Sequence, residues 1–493
     1  MGVFQEDADR QGSNVPRVPL GRARRPHTRS RDCGVVAVNP AQTVTAATGL
    51  LAAVAALSPY FKGKTRQLLA LTLLDVALAA LAELHVIFSG GLSQGELLAD
   101  RYAALLALVF LLDLSIVLLG SSSTVAQYEE GNALIGAVAL AAAGLLGISV
   151  SGTVPLLLVS WVLVSAASYA SIALPRDKYS ASGASKYGLM SLASSMLLLT
   201  ALGLASFNSP SLSLPSVVPA GREVAALALA FTVASVGFKA GAFPFHAWLP
   251  DTYGVSDPYP VSIVAPLSKG AVLLAFYKVS AILAPEARQE WLWIVGLIAL
   301  LTMTYGNITA LLQRGFQGLL AYSSIAHAGY LLVGVAALSS QQAAPTALYG
   351  LVLQLAAYSF AKTGLFLLAR LARAREGPPV ALDDLRGLST VDKPLAASAT
   401  ILVLSLMGMP PLAGFWGKLF IFLAAVGPAP WLTAVALINT GIAAAYYARI
   451  IKAVYFEPGK PHLYADRGLK VVIVVTAAAS LLAGLVPLVL PPA

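Results

Sequence analysis

The sequence predicts an all-α integral membrane protein with about fourteen transmembrane helices, and three observations carry that prediction. Of the 493 residues, 58% are hydrophobic and only 11% are charged, whereas a soluble domain carries about 25% charged residues. Apolar runs of roughly 20 residues, the length that crosses a bilayer, recur almost end to end from Ala41 to Leu490. These runs are continuous and rich in Leu and Ala, unlike the short alternating segments of a β-barrel.

Breaking the runs at charge or Pro/Gly clusters places the spans at 41–59, 67–90, 101–120, 132–150, 153–174, 184–207, 223–243, 257–284, 291–313, 317–338, 344–370, 395–426, 429–456 and 469–489. An even count puts both termini on one face. Loops after odd-numbered spans hold Lys62, Lys64, Arg66, Arg176, Lys178, Arg314, Arg373, Arg375, Arg386, Lys393, Lys460 and Arg467. Loops after even-numbered spans offer little beyond Arg101, Arg222 and Arg288. The positive-inside rule makes the first set cytoplasmic, so both termini of this multi-pass cell-membrane protein are expected on the outer face. Residues 1–37 run against that placement, with Arg10, Arg17, Arg22, Arg24, Arg25, Arg29 and Arg31 and no signal-peptide run. They read as a basic tail, disordered or a start-site artefact, with translation beginning near Val35 or Val38.

The same survey excludes several functions. Cys33 is the only cysteine, and an iron–sulfur cluster needs about four thiolates, so the chain is expected to hold no cofactor and no metal. It has neither a G-x-G-x-x-G after a strand nor a G-x-x-x-x-G-K-[ST]. The net charge of +9 sits in loops between spans, where it sets orientation rather than binding nucleic acid.

Two spans are interrupted. The seventh ends in Phe-Pro-Phe-His around Pro244, and the twelfth holds Pro410 and Pro411 in mid-run. Proline removes a backbone donor and clashes with the preceding turn. Broken helices survive in a membrane only where protein or a water-filled cavity satisfies the freed groups, and paired interruptions point to a transport site. Their spacing of five spans suggests repeated five-helix units.

Lys239 and Lys418 flank these breaks, Lys269 lies in the eighth span and Lys362 in the eleventh, with His327 in the tenth. A lysine at mid-depth costs about 2.5–3.5 kcal/mol on insertion scales, so four cost on the order of 10–14 kcal/mol, comparable to a domain's stability. Near a span end a lysine can snorkel to the interface, which is the expectation for Lys278 and Lys452. Four lysines near span centres suggest instead a chain of proton-accepting groups, because burial favours the neutral amine and a histidine can bridge the gaps. His246 and Asp251 read as a cap and turn at the break before they read as proton-transfer groups. Asp113 in the third span, with Asp75 and Glu83 in the second, is a further candidate, since intramembrane acids are costly and commonly functional.

At these residues the chain resembles the antiporter-like subunits of respiratory complex I and of multisubunit cation/proton antiporters, the N-type subunit most of all. The matching runs are Gly237–Asp251 (GFKAGAFPFHAWLPD), Pro266–Ala271 (PLSKGA), Leu319–Tyr330 (LLAYSSIAHAGY) and Pro410–Lys418 (PPLAGFWGK). Lys418 stands where M-type subunits carry glutamate, and the chain stops after span fourteen without the lateral helix of the L-type. The resemblance implies two inverted five-helix repeats, spans 4–8 (132–284) and 9–13 (291–456), flanked by spans 1–3 (41–120) and a last span (469–489). It implies a lysine in each broken helix, Lys239 and Lys418, joined by Lys269, His327 and Lys362 in a proton path. It also implies other membrane subunits as partners, which bind quinone and hold the redox groups. The family places a glutamate in the fifth span three residues before a serine. In Trp161–Tyr169 (WVLVSAASY) that position is Val162, so the acid partner of Lys239 is missing, with Asp113 its substitute. The expected function is that of a proton-translocating subunit of a complex I-like quinone oxidoreductase, oxidising NAD(P)H, F420H2 or ferredoxin. The alternatives are a subunit of a Na⁺/H⁺ antiporter, or of a membrane-bound hydrogenase-like complex.

Overall fold

The computed structural model describes residues 39–61, 63–374 and 377–489; the basic tail and Cys33 lie outside them. Six crossings start where the sequence supplies a side-chain cap. Asn39, Asp100, Thr153, Asp177, Asp257 and Asp392 accept from the first free amides of their helices. Proline follows at the first or second position after Asn39, Thr153, Asp257 and Asp392, where no amide is needed.

The first three crossings are α1 (Pro40–Leu57), α2 (Thr65–Phe88) and α3 (Arg101–Gly120). Between α2 and α3 the chain forms a hairpin that the hydrophobic pattern does not reveal, β1 (Leu92–Gln94) against β2 (Leu97–Ala99). Its two-residue turn starts at Gly95, φ +58°, the left-handed geometry such turns need. A short α4 (Ser122–Val125) leads to α5 (Gly131–Ser149), α6 (Val154–Ala173) and α7 (Lys178–Ser206). The seventh crossing is α8 (Arg222–Ala240) and α9 (Trp248–Tyr253), followed by α10 (Pro258–Leu283). Next come α11 (Arg288–Leu312), α12 (Phe316–Ala337), α13 (Ala344–Ala372) and a short α14 (Leu388–Val391). The twelfth crossing is α15 (Lys393–Met407) with α16 (Ala413–Val426), and α17 (Pro430–Phe456) and α18 (Arg467–Val489) finish the chain.

Thirteen of the described helices are long and apolar enough to cross a membrane. With 15 and 14 residues, α15 and α16 are each too short and make the remaining crossing together. Loop contacts bear out the alternation. Arg373, after the eleventh span, donates to Val255 and Ser256, after the seventh, at 2.9 and 2.6 Å. On the opposite face Leu97 pairs with Ser151 and Thr153 with Ser213.

The helices that carry Lys269, His327 and Lys362 are the innermost. The most apolar window of α10 is 100% buried, and those of α12 and α13 are 94% buried, against 22% for α1. Small residues thus reach the centre of the bundle, and so do Lys269, His327 and Lys362.

The two breaks share one construction. α8 stops at Ala240, three residues before the apolar run ends, because Gly241 turns left-handed at φ +67°; Gly408 does the same to α15 at φ +92°. In both, the glycine amide bonds three residues back and the next amide five back: Gly241 to Phe238 (3.2 Å) and Ala242 to Gly237 (2.8 Å), Gly408 to Ser405 and Met409 to Leu404 (both 3.1 Å). This is the Schellman closure, which glycine permits without steric cost. A cis proline peptide follows at the same offset, Phe243–Pro244 and Pro410–Pro411.

A side chain in the left-handed region costs about 1–2 kcal/mol. Gly408→Ala should therefore lower the midpoint of thermal unfolding in detergent. Gly241→Ala should lower it further, since its Cβ would stand 2.4 Å from Leu249 Cδ1. Gly203→Ala, inside α7 with nothing within 4 Å, serves as the control and should not lower it.

Candidate functional site

A helix that ends inside a bilayer leaves carbonyls that no water can solvate. In α8 the Phe238 carbonyl takes the Trp248 indole N–H at 2.6 Å, and the Ala240 carbonyl takes the ammonium of Lys269 from α10. In α15 the Leu406 and Met407 carbonyls both accept from Lys418 Nζ, at 2.9 Å each. Lys269 and Lys418 thus sit on the C-termini of the two broken helices. Such an end carries roughly half a negative charge. It is a fixed counter-charge that no carboxylate supplies.

Lys362 and His327 lie between them. Lys362 Nζ reaches the Leu320 carbonyl at 2.6 Å and the Ser323 hydroxyl, both on α12. The Gln354 amide donates to His327 Nδ1 at 3.1 Å, which leaves Nε2 to carry the ring proton toward Tyr447 Oη, also at 3.1 Å. Two tyrosines fill the intervals. The Tyr358 ring is 5.9 Å from Lys269 Nζ, 5.8 Å from Lys362 Nζ and 5.7 Å from the His327 ring. The Tyr330 ring lies 5.8 Å from that of His327 and 4.8 Å from Lys418 Nζ. His327 is within electrostatic reach of Lys269, Lys362 and Lys418. The sequence pointed to the lysines and the histidine but not to Tyr330, Tyr358, Gln354 or Tyr447. The one available signal was their helical spacing, Tyr330 three residues after His327 and Tyr358 four before Lys362.

Lys239 stands apart from this group. Its ammonium donates to Ser165 on α6 at 2.7 Å and faces the rings of Trp161 at 5.0 Å and Tyr187 at 5.9 Å. The expectation that Asp113 replaces the missing acid of Lys239 is corrected here. Asp113 accepts the Thr363 hydroxyl at 2.7 Å, because α3 packs on α10, α13 and α18 rather than on α8. Val162 lies one turn from Ser165 and is 49% exposed. It lines a groove of about 310 Å³ between α6 and α7 that Ser165 also lines.

His246 and Asp251 take the blander role. The His246 ring packs on Tyr305 at 4.1 Å and Phe243 at 5.4 Å, and Asp251 makes a surface ion pair with Lys186 at 2.6 Å. Lys452 lies at the surface with Glu457 at 3.3 Å. Lys278 does not snorkel: it is buried, and its ammonium turns to the Leu98 and Ser151 carbonyls. Pro244, Pro410 and Pro411 all lie in the breaks.

Four cationic or basic groups linked by two phenols, in a low-dielectric interior, cannot all be charged at once. Each like charge raises the cost of the next.

The family model described as NADH:quinone oxidoreductase/Mrp antiporter, TM, matches residues 151–443. Subunit N of the F(420)H(2) dehydrogenase of Methanosarcina mazei is 30% identical over 390 residues, 76% of this chain and 77% of that one. NADH-quinone oxidoreductase subunit N of Desulfovibrio desulfuricans is 32% identical over 453 residues, 85% of this chain and 88% of that one. A chain of respiratory complex I from Thermus thermophilus superposes with a TM-score of 0.77 at 28% identity, over 91% of this chain and 99% of the other. A chain of the Mrp complex from Dietzia sp. gives 0.78 at 19% identity, over 91% and 95%, a likeness of fold alone.

Gln354→Leu removes the donor that fixes the His327 tautomer. The ring ¹⁵N resonances of His327 in the labelled protein should change from one tautomer to a mixture of two. Unchanged resonances would mean that Gln354 does not set it.

Proposed function

The chain belongs to the NADH:quinone oxidoreductase/Mrp antiporter transmembrane family, as an N-type antiporter-like subunit, and from that premise we propose that it moves protons through Lys269, Lys362, His327 and Lys418. The observation that carries this reading is the seating of Lys269 and Lys418 on the carbonyl ends of the two broken helices, with Lys362, His327 and two tyrosines between them. An ammonium on a helix C-terminus is stabilised without an acid yet remains free to release its proton to the next acceptor. Lys239, on its serine and two rings, is a separate loading point beside the first break.

The chain works with other membrane subunits of a complex I-like assembly. Those partners hold flavin, clusters and quinone and meet the electron donor, and this chain adds no cofactor of its own. Electron transfer would drive protonation through changes the partners impose at the breaks. A Na⁺/H⁺ exchanger would need oxygen ligands at the breaks, where this chain presents ammonium groups.

The purified assembly, reconstituted in liposomes with a trapped pH-sensitive dye, tests the reading. Lys418→Met and Lys362→Met should each cut proton uptake about tenfold or more, since a placed proton-transfer group contributes at least that much, while quinone reduction persists in uncoupled vesicles. Uptake equal to the parent's would sink the proposal, and Na⁺-dependent uptake would replace it with ion exchange.

Val162→Glu should place a carboxylate one turn from Ser165 and give Lys239 an acid partner. We expect a measurable change in proton uptake per electron in the same vesicles. No change would remove Lys239 from the path.

A further inference from the structure

Five lysines are buried among the described residues: Lys239, Lys269, Lys278, Lys362 and Lys418. Four belong to the path proposed above. Lys278 does not, and it is the one with carboxylates within electrostatic reach, Glu83 and Asp100. Glu83, on α2, is 0% exposed, and neither of its carboxylate oxygens has a hydrogen-bond partner among the described residues. Among those residues the other buried acid–base contacts, Arg370 with Asp257 and Arg373 with Asp177, are between carboxylates and guanidinium groups, which stay charged.

Their depth is the same. Glu83 stands five residues before the end of α2, and Lys278 five before the end of α10. At 1.5 Å per residue both lie about 7–8 Å inside the face formed by the even-numbered loops. The hairpin covers them. Leu98 of β2 donates its amide to Val150 at 2.8 Å, and Gly152 donates to Glu96 at 2.8 Å. Lys278 Nζ binds a carbonyl on each side of that seam, Leu98 and Ser151. Tyr277, the preceding residue, donates its hydroxyl to Asp100, the exposed cap of α3. Arg101 and Tyr102 are the other titratable groups around that hydroxyl. Water thus meets Asp100 first, and Tyr277, Lys278 and Glu83 lie beneath the seam.

An acid–base pair at such a depth can hold its proton on either partner without adding net charge to the membrane. A lone amine or carboxylate cannot. The protons of such a pair come and go as a coupled unit. We propose that Glu83 and Lys278 form a proton-exchange site that connects this chain's interior to the aqueous phase on the even-loop face, with the hairpin Leu92–Ala99 as its cover. The proposal rests on the reading that the chain moves protons. No bond other than that to the transferred proton changes: the proton leaves the ammonium, reaches the carboxylate through an intervening water, and from the carboxyl group passes to bulk water or to the path.

The reconstituted assembly decides it. In Glu83→Gln and in Lys278→Met the quinone-reduction rate in uncoupled vesicles should stay at the parent level. Proton uptake should fall about tenfold or more, since a placed proton-transfer group supplies at least that much. Glu83→Asp, which keeps the acid on a shorter stem, should recover part of that uptake, as a merely space-filling role would not require. If Glu83→Gln does not assemble, Glu83→Asp and Lys278→Met carry the same readout. Parent-level uptake in the assembled variants, alongside a loss in Lys418→Met, overturns this site and leaves the main path standing. Parent-level uptake in Lys418→Met overturns the main path and this site with it.

Discussion

An ammonium bonded to the open carbonyl end of a broken helix is the interaction on which the rest of this structure turns. Interrupting a transmembrane helix exposes main-chain acceptors where water is scarce, and an isolated lysine at that depth is costly as well. Each defect answers the other. Lys269 closes α8, and Lys418 closes α15. The breaks make the lysines tolerable, and the lysines make the breaks tolerable.

That reciprocity explains the bundle's internal order. The three most enclosed helices, α10, α12 and α13, carry Lys269, His327 and Lys362, where solvent screening is least. Aromatic rings of Tyr358 and Tyr330 separate the basic groups. A ring face attracts a cation at modest strength, so it can host either protonation state of its neighbour. The intramembrane acids sit elsewhere, on α2 and α3. Asp113 meets a threonine there, and Glu83 lies within electrostatic reach of Lys278.

Much of this was legible in the sequence. Apolar runs gave the crossings, prolines the breaks, and mid-span lysines the candidate path, because length, missing donors and charge in hydrocarbon are local properties. What was not legible depends on which helices touch. Asp113 looked like a partner for Lys239 until α3 proved to pack on α13. Lys278 looked like a snorkelling lysine until the hairpin closed over it, and that hairpin is too short to show in a hydropathy pattern. Tyr358 and Gln354 carried no signal of their own, since a phenol or an amide in a span becomes informative only through its neighbours.

The acceptors at residues 240, 406 and 407 are main-chain oxygens, which has a consequence for genetics. Every amino acid brings the same carbonyl, so substitution at Ala240, Leu406 or Met407 alters the side chain and leaves the partner of the lysine in place. A scan for the residue that balances Lys269 or Lys418 would return no hit at these positions. The sensitivity would surface at Gly241 and Gly408, whose left-handed turns aim those oxygens. The counter-charge of these two lysines is written in the course of the chain rather than in its alphabet.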